Sequence, residues 1–228
     1  RWRKITPSKV KEALPKLIAS AEEGIAEIEN SNPATFEDFI WKLSDCTYKM
    51  SKMTGAMHHL LSVVNSEEWR KTYEELMPMM VSFSMRMGQS EKLYSHAKRI
   101  LADMKADNAD GANDCRIRIL EEEVRGFEHS GVGLDGEKKK RFCEIAEELN
   151  KIGTDFSNAV LDATKAYAYE KDGKVYTIDD ANYPETMKHC PDSGVRETLY
   201  RARVGRAPEN TERIKKILEL RREKAELL

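Results

Sequence analysis

The sequence predicts a mainly all-α protein, an array of long antiparallel helices, and three observations carry that prediction. Apolar residues recur at spacings of three and four along most of the chain. Ser, Thr and Asp stand where those periodic stretches begin, as helix N-caps do. No alternation of strand and helix patterns appears that would build a parallel sheet. The chain has 228 residues, long enough for one large domain or two small ones. With 38 basic and 40 acidic residues it offers no global attraction for nucleic acid or anionic lipid.

Thr6-Pro7 starts the first helix: Thr6 accepts from an orphan amide and Pro7 suits the first helical position. Val10, Leu14, Leu17, Ile18, Ala21, Ile25 and Ile28 then form one apolar stripe. The stretch "NSNPATFED" breaks that helix and starts the next, with Thr35 and Asp38 spaced almost as a capping box. Phe36, Phe39, Ile40, Leu43, Met50, Met57, Leu60, Leu61 and Val64 carry it to about Asn65. Ser66 caps the third helix, whose first turn holds Glu67 and Glu68 where the dipole favours acids. This helix runs through Trp69, Tyr73 and Leu76 to about Met87, and Gly88 breaks it. Ser90 caps the fourth, which ends near Asp107 in "DNADGAND". A fifth helix from about Asn113 buries Ile119, Leu120, Val124 and Phe127.

Gly131 and Gly133 give freedom for a tight connection, and Asp135 is placed to cap the long helix that follows. Phe142, Ile145, Leu149, Ile152, Phe156 and Val160 are its stripe, to about Ala166. The texture changes in "KDGKVYTID": Asp172-Gly173 is turn chemistry, and residues 174–178 favour a short strand. A helix from Ser193 to Val204, a break at Ala207-Pro208 and a terminal helix over Arg213–Leu228 complete the chain. The expected organisation is an N-terminal helical domain over 1–166, followed by a strand–turn segment and two further helices over 167–228.

Local chemistry is sparse. Cys46, Cys115, Cys143 and Cys190 form no C-x-x-C pair, which favours a reducing compartment. No apolar run approaches the roughly 20 residues of a membrane span, and "RWRKITPSKV" holds no apolar signal core. Among His58, His59, His96, His129 and His189 no pair has the three- or four-residue spacing that lets two imidazoles share an ion on one helix face. His189-Cys190 is the best local pair for soft ligation, without a second pair near it in sequence. Glu121, Glu122 and Glu123 fan around a helix instead of converging. The glycines at 131 and 133 follow a helix, not a strand, so they make no phosphate cradle. Met77, Met79, Met80, Met85 and Met87 read as core packing, with an adaptable binding face as the other possibility. No catalytic, cofactor-binding or metal residue is assigned to any position.

Longer motifs say more. The stretch "SGVGLDGEKKKRFCEIAEELNKIGTDFSNAVLDAT" resembles the oligopeptidase A and thimet oligopeptidase family of zinc metallopeptidases. So do "VVNSEEWRKTYEELMPMM" with "GQSEKLY", and "LYRARVGRAPENTERIKKILELRREKAELL". These matches run in the family's order from about Ile5 to Leu228. The resemblance implies a helical fold, a channel for short peptides between two lobes, and a zinc on an H-E-x-x-H helix further along. This sequence holds no H-E-x-x-H, so no family residue is carried over. The stretch from Ala166 to Cys190 and "RAPENTERI" look shorter than their counterparts. Two functions are therefore expected. One is a non-catalytic helical scaffold or accessory subunit, a shortened descendant of such an enzyme. The other is the N-terminal channel wall of an active oligopeptidase whose catalytic half lies elsewhere. Either implies a protein partner or a separate catalytic region in the cytosol or the matrix or stroma of an organelle, with no nucleic acid and no membrane span.

Overall fold

A computed structural model describes residues 4–107 and 111–228. The N-terminal stretch read for a signal core and the break after Asp107 fall partly outside them. The helices are α1 (Pro7–Asn30), α2 (Lys42–Val63), α3 (Glu67–Gly88), α4 (Glu91–Ala106), α5 (Asp114–His129), α6 (Gly136–Ala166), α7 (Asn182–His189), α8 (Ser193–Val204) and α9 (Asn210–Leu227). A π-turn over Glu37–Trp41 leads into α2, and β1 (Tyr169–Lys171) pairs antiparallel with β2 (Lys174–Tyr176). The mainly all-α prediction holds.

The chain packs as two compact units, one reaching Cys143 and the other covering Glu144–Leu227, so the division falls inside α6. In the first unit α1 packs against α2, α3 and α4, and α5 packs against α4. The α1 stripe is buried as its spacing predicts: Val10, Leu14, Ala21 and Ile25 are fully inaccessible, and Ile18 and Ile28 nearly so. Each of these Val, Leu and Ile side chains contributes roughly 1.5–3 kcal/mol by leaving water. Phe39, Met57, Leu93, Ile100 and Leu120 join them in the same core. The predicted caps form: the Thr6, Ser66 and Ser90 hydroxyls accept from the amides of Lys9, Trp69 and Leu93 at 3.4, 3.3 and 3.2 Å. Thr35 does the same for Asp38 at 3.1 Å. Val64 and Ile119, read as core, are instead 54% and 45% exposed: Val64 is the C-cap of α2, just past its last residue, and Ile119 lies about 100° around α5 from buried Leu120.

The second unit has a small core of Ile178, Val195 and Leu199, ringed by Tyr167, Tyr169, Tyr176 and Tyr183. The turn at Asp172-Gly173 closes the hairpin with positive φ at both residues, 53° and 72°. The strand stops at Tyr176, short of the expected 178, and Ile178 turns into the core instead. The sequence does not announce α7, since its eight residues make little more than two turns, too short to show a stripe. Along α6, Phe142 and Ile145 are buried, whereas Leu149, Ile152, Phe156 and Val160 are only half-covered. On α9, Leu220 is buried while Ile214 and Leu218 stand 47% and 60% exposed.

Candidate functional site

The side chains that the sequence singled out for chemistry are not brought together. His58 and His59 are exposed on α2, and the His58 ring meets Tyr73 edge-on at 5.4 Å. His96 is half-buried on α4 with its ring against Phe39 at 6.3 Å. His129 is exposed at the end of α5, and His189 ends α7 with Glu185 3.5 Å from its Nε2. A hydrolytic zinc needs three convergent protein ligands and an open position for water. Among the described residues no group of three or more His, Cys, Asp or Glu side chains is placed to hold a metal ion. The described residues therefore do not fit the zinc that the family resemblance implies.

The cysteines are free. The Cys46 Sγ donates to the Leu43 carbonyl at 3.2 Å, and burial pushes its thiol up, away from a reactive thiolate. Cys143 faces the Gln89 amide at 3.7 Å. Glu121, Glu122 and Glu123 diverge as read. Glu121 accepts from Lys105 at 2.6 Å, which holds its carboxyl below the ordinary range. Glu122 pairs with Arg118 and Arg125, and partial burial raises Glu123. Gly131 is a chain-reversal residue with φ of 78°, where a Cβ would lie 2.8 Å from Leu134 Cδ1. Met80 and Met87 pack on the first unit's core, while Met79 is 39% exposed.

What sequence reading missed lies in the second unit. Phe156 and Val160 of α6, Tyr183 of α7, Val204 at the end of α8 and Ile214 of α9 line a cleft of about 710 Å³. Its rim is fixed by polar anchors. Arg203 donates to the Ile178 carbonyl and to Asp180, both at 2.6 Å, and lies over the Tyr183 ring at 4.5 Å. Asn210, 6% exposed, donates to the Phe156 carbonyl at 3.1 Å and accepts from Arg213 at 2.6 Å. Asp179 gathers Thr177, Asn182 and the Ala181 amide, bonds that hold its carboxyl far below the usual range. Asp192 caps α8 through the Gly194 and Val195 amides and takes Lys171 at 2.5 Å. The Asp192 cap could be read from "PDSG"; the cleft could not, because it joins residues of four helices, α6 to α9. A smaller space of about 490 Å³ beside β2 and α7 touches Tyr176, His189 and Cys190 without converging them on a point. These surfaces can bind apolar groups; they present no paired nucleophile and base.

No helix among the described residues is long and apolar enough to cross a membrane. Residues 14–139 match the N-terminal domain of neurolysin/thimet oligopeptidase. Oligopeptidase A of Escherichia coli (strain K12) is 31% identical over 263 residues, covering 100% of this chain and 38% of that protein. Organellar oligopeptidase A of Arabidopsis thaliana, chloroplastic/mitochondrial, is 28% identical over 98% of this chain and 33% of its own length. A mitochondrial intermediate peptidase of Eremothecium gossypii is 21% identical over 88% of this chain and 28% of its length. The chain thus spans well under half the length of these relatives. The alignment with the bacterial protein runs to 263 positions against 228 residues here, so that protein carries residues within the matched span that this chain lacks. A match to the N-terminal domain over more than half the chain, in a fold built from the predicted helices, places this protein in the neurolysin/thimet oligopeptidase family as its N-terminal domain.

Proposed function

We propose that this chain is a non-catalytic helical domain of the oligopeptidase A type, serving as a scaffold or accessory subunit that presents helix faces to a protein partner. One observation carries the reading. The whole chain aligns with 38% of oligopeptidase A, yet its described residues assemble no set of ligands for the electrophile that peptide hydrolysis by such an enzyme requires. The uncovered apolar side chains of the second unit support a partner. Val204, Ile214 and Leu218 are 64%, 47% and 60% exposed and lie on neighbouring helices. A reducing compartment, cytosolic or organellar, fits the four free thiols and the compartments named for the plant relatives.

A second reading makes the same domain the channel wall of an active zinc oligopeptidase that hydrolyses short peptides. The match to proteins named oligopeptidases along 98–100% of the chain favours it. Metal analysis and a quenched fluorescent peptide decide between catalysis and scaffold. The purified chain is expected to retain no zinc and cleave nothing; stoichiometric zinc with chelator-sensitive cleavage overturns the proposal. Mixing the chain with the remaining part of Escherichia coli oligopeptidase A tests the second reading, which requires cleavage to appear only in the mixture.

A further inference from the structure

We propose that the cleft between α6, α7, α8 and α9 docks an acidic, apolar segment of the protein partner: one carboxylate set between large apolar side chains. This deepens the scaffold reading, on which it rests, by giving the partner a chemistry. The cleft lies wholly within the second unit. Phe156, Val160, Tyr183, Val204 and Ile214 are its apolar walls, and all five border one space. Val204 and Ile214 stand largely open to solvent there.

The charge of the occupant follows from what the cleft lacks. Arg203 and Arg206 line it, and no Asp or Glu among the described residues does. Arg203 is engaged, by the Ile178 carbonyl and Asp180. Arg206 is half-buried and gives one hydrogen bond, to the Arg203 carbonyl at 2.9 Å. Among the described residues no carboxylate pairs with it. The acids nearest in sequence are taken: Glu209 lies 3.7 Å from Arg213 and Glu212 2.7 Å from Lys215. A cation just past α8 is favoured by that helix's dipole, yet the dipole offers only about half a charge. The guanidinium keeps its charge at any working pH, and a carboxylate is the group that its planar fork receives best. The backbone fixes its place as well. Gly205 caps α8 on one side, and buried Ala207 on the other holds φ of 52°, a left-handed conformation that alanine rarely adopts.

The size of the occupant follows from how open the walls are. A small molecule in its own pocket loses most of its surface to the protein. This cleft leaves Val204 and Ile214 widely accessible, and Leu218, one turn further along α9, carries the apolar surface past its edge. A ligand that covers all three side chains must reach beyond the cleft, as a polypeptide segment does. Apolar side chains of that segment then enter the cleft while its carboxylate meets Arg206.

Titration of the full chain into pentapeptides with blocked ends and an uncharged fluorophore tests it. Each peptide carries Glu between pairs of Leu or Phe, so the Glu side chain is its sole carboxylate. The expected dissociation constant is about 100 µM or tighter, and Gln in place of Glu weakens it about tenfold. Arg206→Met is expected to abolish that preference while leaving the affinity for the Gln peptides within about twofold. Arg206→Lys, which keeps the charge without the fork, should fall between, and covers the case in which the Met variant folds poorly. Ile214→Ser weakens the Glu and Gln peptides alike. No binding up to about 1 mM overturns the proposal. So do equal affinities for Glu and Gln peptides, a preference that survives Arg206→Met, or octanoate bound as tightly as the peptides. The scaffold reading fails on a different observation, stoichiometric zinc with peptide cleavage, so the two failures are distinct.

Discussion

Replacing Arg203 with Met keeps the aliphatic stem and deletes the guanidinium that ties the second unit together. Three interactions go with it. The hydrogen bond to the carbonyl of Ile178, itself 1% exposed, is charge-assisted and desolvated, worth about 1.5–3 kcal/mol. The cation–π contact with Tyr183 adds about 0.5–1 kcal/mol. The ion pair with Asp180 adds at most about 0.5 kcal/mol, because that carboxylate is 94% exposed. Arg203→Met should therefore destabilise the second unit by about 3 kcal/mol. Arg203→Lys, which cannot fork between two acceptors, should lose about half of that. Asp180→Asn should be nearly neutral. Urea unfolding with Tyr48, Tyr73 and Tyr94 replaced by Phe resolves these effects by tyrosine emission, since the remaining five tyrosines lie in the second unit and all three tryptophans, Trp2, Trp41 and Trp69, precede it in sequence. The tryptophan signal reports the first unit and serves as the control. The reasoning fails if Arg203→Met costs under about 0.5 kcal/mol, or if Asp180→Asn matches it.

Asp179→Ala removes the acceptor that organises the start of α7 and should cost about 1–2 kcal/mol in the same assay. Hydrogen bonds from Thr177 and Asn182 lower the Asp179 pKa in the folded state, so its contribution is complete above about pH 4. That contribution fades as pH falls towards the folded value, and Asp179→Asn should flatten the acid limb of the stability profile; an unchanged limb contradicts the assignment. Gly131→Ala meets both positive φ and the Leu134 side chain and should destabilise the first unit by about 2 kcal/mol. Gly133→Ala, with open space around it, is the neutral control, and equal effects at the two glycines would show that the turn is not the reason.

The candidate surfaces were less legible than the fold. The α1 stripe, the Thr6, Ser66 and Ser90 caps and the Asp172-Gly173 turn are local, set by residues within one or two turns of each other, and the structure realises each of them. Ile214 and Leu218 share one face of α9 and Leu220 lies about 120–160° around from them, yet only Leu220 is buried. Periodicity shows which residues share a face and cannot say whether another element covers it. Val64 shows a second limit: it shares the face of α2 that buries Met57 and Leu60, but it is the C-cap beyond the helix's last residue and stands 54% exposed.

By itself, the sequence determined the helical class, most helix starts and the family, because capping, periodicity and extended motifs act over short stretches of chain. Only the tertiary structure decided which apolar faces remain open and that Arg203 bridges α8 to Ile178. Burial and juxtaposition depend on how segments distant in the chain pack, and that is settled by the summed contacts of many residues.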